Sequence, residues 1–227
     1  MQTLNANNGS RTPAAIALRG AANMPQRPRE AISATRRDFD RGEEIFAEGE
    51  PCSTFYKVVS GTVRTSKLLT DGRRQIDAFH FPGDVFGLES GECHRFTAEA
   101  VDKVVVIAYR RSSFGGLVQT DPAFGEQLMC AMLSSLDRAH DHMVLLGRKT
   151  ALEKMASFIL EIADRRANAD RAELSMQRTD IADHLGLTIE TVSRTLTQMV
   201  RAGLIRLTEA GRTVILANKA GLELLRL

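Results

Sequence analysis

Glu190, Ser193 and Arg194 lie in the string RTDIADHLGLTIETVSRTLT, residues 178–197. Their side-chain types suit the reading of base edges. An Arg fork donates two parallel hydrogen bonds to guanine O6 and N7, and a carboxylate accepts from cytosine N4. Glu190 and Arg194 are four residues apart, so on a helix they share a face. That spacing equally suits a surface ion pair, which stabilises a helix by only a few tenths of a kcal/mol. A carboxylate beside phosphates is repelled unless it gains a specific partner. Glu190 at the tip of a basic helix therefore favours base readout, with Ser193 small enough to lie close to the bases.

These residues need a rigid mount, and the flanking pattern supplies a helix-turn-helix. With Gly186 as the turn, Ile181, Ala182 and Leu185 fall on the inner face of the first helix. Leu187 and Val192 face them. Thr188 is placed to cap the second helix. Thr195 stands where this motif is usually apolar, but its methyl group can still pack. Arg178, Thr179, Thr188 and Thr191 are expected at the nucleic-acid backbone. Downstream, residues 204–207 and 213–217 alternate around a polar turn at 208–212, which reads as a hairpin. A helix-turn-helix followed by a hairpin is a winged helix, with Arg206 and Arg212 placed to touch phosphates. A winged helix can instead serve as a protein-docking module.

Upstream, Asp121-Pro122 reads as a helix start. Across residues 122–146, Met129, Met132, Leu136, Ala139, Met143 and Leu146 recur at spacings of 3, 4, 3, 4 and 3. That is a heptad seam. Periodicity alone allows it to pack on its own chain or on a second copy. Gly147 is expected to end or bend this helix. A further helix is expected at 150–167 and a polar loop at 167–172. Before the seam lie short β-rich runs at 54–59, 62–68, 75–81, 95–101 and 104–109. Gly49, Gly61, Gly72 and Gly83 punctuate them, which suggests an antiparallel sandwich or barrel. Asp71-Gly72 marks a hairpin.

At 227 residues, with 43% hydrophobic and 26% charged, the chain has material for two folded domains. Residues 1–37 read as a flexible tail with a possible short helix at 14–22. The net charge of +2 is uneven. From Arg148 onward there are thirteen Lys and Arg against ten Asp and Glu, a modest surplus compatible with nucleic acid. Three scattered cysteines argue against a disulfide scaffold. No run approaches the ~18 apolar residues of a membrane helix. A cytoplasmic protein without membrane contact is expected.

The string LGLTIETVSRTL, followed by AGLI, resembles the DNA-reading element of the CRP/FNR regulators. It is most similar to the FNR and FixK branch, whose pattern E-x-x-S-R is met here by Glu190, Ser193 and Arg194. GEEIFAEGE, FYKVVSGTVR and FHFPGDVFG resemble the family's β-roll. The resemblance implies an α+β fold: a tail at 1–37, a cyclic-nucleotide-binding-like antiparallel β-roll at 38–120, a long dimerisation helix at 121–147 and a winged helix-turn-helix at 148–227. It implies a homodimer through the heptad seam, binding double-stranded DNA at a palindrome of TTGA-like half-sites and recruiting RNA polymerase. It further implies control of low-oxygen metabolism such as nitrogen fixation, denitrification or microaerobic respiration.

The sensor half departs from the cyclic-nucleotide pattern. Leu88 stands where the ribose-binding Glu belongs, and Phe96 separates Arg95 from Thr97. No response to cAMP is expected. An FNR-type iron–sulfur cluster needs about four thiolates, and the chain has Cys52, Cys93 and Cys130. Cys130 is expected to be buried in the seam helix. Cys52 and Cys93 are expected in loops, inert or redox-reactive. No cofactor, metal site or catalytic constellation is expected. The alternative is a regulator of the same family whose β-roll senses haem or a small molecule.

Overall fold

The computed structural model describes residues 34–166, 170–208 and 211–226. The stretch at 14–22 and the rest of 1–33, all expected as tail, lie outside the described residues, as do 167–169 and 209–210.

Eight strands build the N-terminal half: β1 (Ala34–Phe39), β2 (Glu44–Phe46), β3 (Thr54–Ser60), β4 (Val63–Leu68), β5 (Arg74–His80), β6 (Val85–Phe86), β7 (Thr97–Ala100) and β8 (Val104–Arg110). They form two antiparallel four-stranded sheets, ordered β1-β8-β3-β6 and β2-β7-β4-β5. Alternate residues of β8, namely Val104, Val106 and Ala108, point into a core shared with Phe39, Phe46, Tyr56, Val63 and Phe86. The Phe46 ring stacks on Tyr56 and Phe86 with centroids 5.8 and 6.1 Å away. Such pairs add ~0.5–1.5 kcal/mol beyond their buried area. The β4–β5 hairpin turns at Gly72, with Asp71 Oδ1 accepting from the Arg73 backbone N–H at 3.0 Å.

Two strands correct the sequence reading. Residues 34–37 were expected in the tail but form most of β1, which pairs with β8 from Ala34↔Tyr109 to Phe39↔Val104. Five of its six residues are exposed, so its own sequence carries no alternation. The ladder to β8 makes it a strand. Similarly Arg171 and Ala172, expected as loop, belong to strand β9 (Arg171–Glu173). It pairs with the wing, Val214 opposite Ala172.

After a short helix α1 (Phe114–Thr120) comes the long helix α2 (Pro122–Arg148). Asp121 caps it, Oδ1 accepting from the Phe124 N–H at 3.0 Å. Gly147 neither ends nor breaks it. Packing of Leu145 and Leu146 on the C-terminal core offsets the ~1 kcal/mol helix cost of glycine. One face, including Leu128 and Leu145, is buried on the chain's own body. The other leaves Met129, Met132, Leu133, Leu136, Met143 and Val144 largely exposed. Leu146, expected in the seam, is half-buried against its own C-terminal core, while Leu133 and Val144 extend the exposed stripe. Ala139 lies on the exposed face.

One cysteine expectation also needs correction, while Cys52 and Cys93 lie in loops as expected. Cys130 is exposed, because two residues turn it about 200° from the buried Leu128. Cys52 is buried, and its thiol donates to the Gly87 carbonyl at 3.2 Å. Cys93 is exposed.

The C-terminal half comprises α3 (Ala151–Arg165), β9, α4 (Arg178–Leu185), α5 (Ile189–Arg201), β10 (Ile205–Leu207), β11 (Thr213–Leu216) and α6 (Lys219–Arg226). Thr150 and Glu153 form a capping box at the start of α3. Phe158, Ile159 and Leu160 of α3, Leu185 of α4, Met199 of α5 and Leu222 of α6 share one core, and Ile76 and Phe79 of β5 belong to it. The fold is thus α+β, an antiparallel β-roll followed by a long helix and a helix-turn-helix with a three-stranded wing. Among the described residues no helix is long and apolar enough to cross a membrane.

Candidate nucleic-acid interface

α4 and α5 meet at Gly186, whose φ of 62° ends α4 in the left-handed region. Glycine enters that region without steric cost. Its peptide lets the Leu187 N–H return to the Ala182 carbonyl at 3.0 Å. Thr188 then caps α5, its hydroxyl oxygen accepting from the Thr191 N–H at 3.2 Å. The backbone chemistry of the turn is closed within the motif.

α5 divides by type. Val192, Thr195, Leu196 and Met199 are buried, and Thr195 at 5% exposure packs where an apolar residue was expected. The opposite face carries Glu190, Ser193, Arg194, Thr197, Gln198 and Arg201, all exposed. One helix face thus offers a carboxylate, hydroxyls, an amide and two guanidinium groups, a set able to meet base edges and phosphates together. Thr197 and Arg201 were missed in the sequence reading. Steps of three and seven from Arg194 would have found them.

Glu190 stays ionised. Its pKa is held below the usual carboxylate value, first by its own backbone N–H at the helix start, then by the Thr188 hydroxyl. The positive charge of Arg194 contributes least. Both the Glu190 carboxylate and the Arg194 guanidinium are exposed, so they are available to a ligand.

The flanking residues divide. Arg206 and Arg212 are exposed on the wing. Arg178 is partly buried and turned toward the wing, Nη2 donating to the Gly211 carbonyl at 2.8 Å. Burial pushes its pKa down from the ordinary arginine value. Thr179 and Thr191 are half-buried, the Thr179 hydroxyl lying 3.4 Å from Gln177 Oε1. Arg178 thus braces the wing against α4, a contact between residues 33 positions apart that leaves no local signal in the chain.

In the β-roll, Leu88 packs beside the apolar pair Phe55 and Leu128. Glu89 turns its carboxylate inward: Oε2 accepts from the Arg95 backbone N–H at 2.8 Å, and Oε1 lies 3.3 Å from His94 Nδ1. A protein carboxylate therefore already occupies this loop amide. Arg95 is exposed at the rim. Among the described residues no group of three or more His, Cys, Asp or Glu is arranged to hold a metal ion.

Comparison with known proteins matches both halves. Residues 36–121 match the cyclic nucleotide-binding domain family, and residues 153–225 match the Crp-like helix-turn-helix domain family. The chain is similar to the nitrogen fixation regulation protein FixK of Azorhizobium caulinodans, 43% identical over 89% of this chain and 84% of that protein. It is 34% identical to the transcriptional activator protein FnrL of Cereibacter sphaeroides over 82% of this chain and 78% of that one. Among solved structures, FixK2 from Bradyrhizobium japonicum superposes with a TM-score of 0.78 at 46% identity, covering 86% of this chain and 98% of that one.

Proposed function

This chain belongs to the CRP/FNR family of DNA-binding transcription regulators, and we propose that it acts as a cytoplasmic homodimeric activator reading TTGA-type palindromes. At its promoters it recruits RNA polymerase and controls genes of nitrogen fixation and low-oxygen metabolism. Regulators of this family bind DNA as dimers. The likeness to FixK and FnrL proteins supports the choice of target genes.

The observation that carries the reading is the outward face of α5. Its inner face is buried, its start is capped, and Glu190, Ser193 and Arg194 project together from its first two turns. Arg194 pairs with a guanine by two hydrogen bonds, Glu190 accepts from a cytosine on the opposite strand, and Ser193 sits near the thymines. Thr188, Thr191, Arg206 and Arg212 lie at the phosphates. The exposed stripe of α2 from Met129 to Val144 supports pairing with a second copy.

The test is a titration of wild type and Arg194→Ala against the palindrome and a scrambled duplex at several salt concentrations. A bidentate contact discriminates by about 1–3 kcal/mol, counted twice in a two-fold dimer, so the palindrome loses roughly 2–6 kcal/mol. The scrambled duplex loses little. Equal losses on both duplexes, with a smaller salt slope, make Arg194 a phosphate clamp and overturn base readout.

A further inference from the structure

The first helix of the reader is gripped at both ends by groups outside the reader. At its start, Asp180 Oδ2 accepts the Gln177 backbone N–H at 3.1 Å. Asp180 Oδ1 accepts from Arg64 Nη1 at 3.0 Å and from Arg74 Nη2 at 2.6 Å. Arg74 Nε also donates to Asp183 Oδ2 at 2.8 Å, so its guanidinium spans two carboxylates of α4. Arg64 is itself fixed in the β-roll by two bonds to Glu99, at 3.2 and 3.1 Å.

At the other end, the His184 carbonyl accepts from His142 Nε2 of α2 at 2.9 Å and from Gln75 Nε2 of β5 at 3.3 Å. Lys154 Nζ of α3 donates to the Leu185 carbonyl at 3.0 Å. Acceptors at a helix start and donors at its end both complement the helix dipole. The His184 carbonyl and the two carboxylates of the first helix therefore keep these partners only while the β4–β5 hairpin and α2 stay docked.

The Asp180 side chain is 3% exposed. A carboxylate so buried is costly without its partners, so the two arginines fix where α4 can sit. The apolar contact of Phe79 on Phe158 is less directional than a guanidinium–carboxylate bond. The ion pairs therefore set the angle of the reader and the apolar packing sets its distance. Meanwhile the polar face of α5 remains open, so clamp and DNA contact coexist in one arrangement.

We propose that Arg64 and Arg74 are positioning residues for DNA reading. They lock α4, and through it α5, at the angle that places the two recognition helices of a dimer about one DNA turn, ~34 Å, apart. The inference rests on the palindrome reading above and adds the residues that set its geometry. Without the clamp the C-terminal half keeps its apolar packing and the Arg165–Asp84 pair of α3, but α4 loses the directional bonds that fix its angle. The second half-site then binds at a lower effective concentration.

The test uses the full chain, with three duplexes: the palindrome, one half-site alone, and the palindrome with one base pair added between half-sites. For Arg74→Ala, which keeps the Arg64–Asp180 pair and so spares the fold, palindrome affinity falls tenfold or more. Half-site affinity stays within twofold of wild type, and the penalty for the added base pair shrinks. Arg64→Ala behaves alike, and Arg74→Lys recovers most of the loss. Arg194→Ala instead weakens palindrome and half-site together, which separates the two ideas. A wild type with no preference for the palindrome sinks the reading and the clamp together. A wild type that reads it, with Arg74→Ala unchanged on all three duplexes or equally weakened on all, overturns the clamp alone.

Discussion

The imidazole of His142 in the long helix lies stacked on that of His184 at the end of the reader's first helix, with ring centroids 4.1 Å apart and planes 17° from parallel. The contact ties the helix that carries the exposed apolar stripe directly to the helix that supports the recognition element. His184 Nδ1 also donates to the Ile76 carbonyl of the β-roll at 3.2 Å. Three structural units therefore meet on one ring.

That ring makes stability depend on pH. Burial pushes His184 down to about 3, with the charge of His142 adding to the effect, and burial takes His80 down to about 4. Unfolded, each titrates near 6.5. The folded values lie below the unfolded ones, so the stabilisation is complete above about pH 6.5 and is lost as pH falls toward 4. Between pH 7 and 5 each imidazole removes roughly 2 kcal/mol. Urea unfolding at the two pH values measures the loss. His80→Gln should reduce it by about 2 kcal/mol, and an unchanged loss would show that His80 is not buried neutral.

The dimer reading predicts that Leu136→Asp dissociates the protein. Leu136 is 52% exposed in the single chain, so the variant folds. Across a two-fold seam it buries two like charges without partners, costing ~3–5 kcal/mol, a more than hundredfold weaker dimer. Sedimentation equilibrium reads the outcome, and an undisturbed dimer places the interface elsewhere.

The β-roll should not respond to cAMP. Leu88 offers no acceptor to a ribose hydroxyl, and the Glu89 carboxylate already holds the Arg95 amide. Calorimetry should detect no binding at micromolar cAMP, and DNA affinity should change by less than twofold. Tenfold tighter DNA binding with cAMP is the opposing result.

Glu190→Ala should relax specificity at one base pair of each half-site. Loss of the carboxylate removes about 1–3 kcal/mol of discrimination there, while affinity for random duplexes rises slightly as a negative charge leaves the interface. A panel of palindromes substituted at each position locates the effect. A uniform change across all positions would make Glu190 a helix-start residue with no base contact.

The sequence by itself determined the reader. Gly186 at the turn, Thr188 at a helix start and the apolar spacing of Ile181, Ala182, Leu185 and Val192 are local requirements, set by backbone geometry and a 3.6-residue period. The glycine-spaced β runs and the heptad of α2 were legible for the same reason. Tertiary structure decided what had no local signal. β1 and β9 are strands because β8 and the wing offer them ladders, and their own residues are mostly exposed or charged. Cys130 and Leu146 lie within one helix turn of the seam, and only the docking of α2 on its own body settled which faces outward. The Arg64–Asp180 and Arg74–Asp183 pairs join residues more than a hundred positions apart. Long-range ion pairs leave no periodicity in a chain, so the clamp that aims the reader became visible when the β-roll and α4 were packed together.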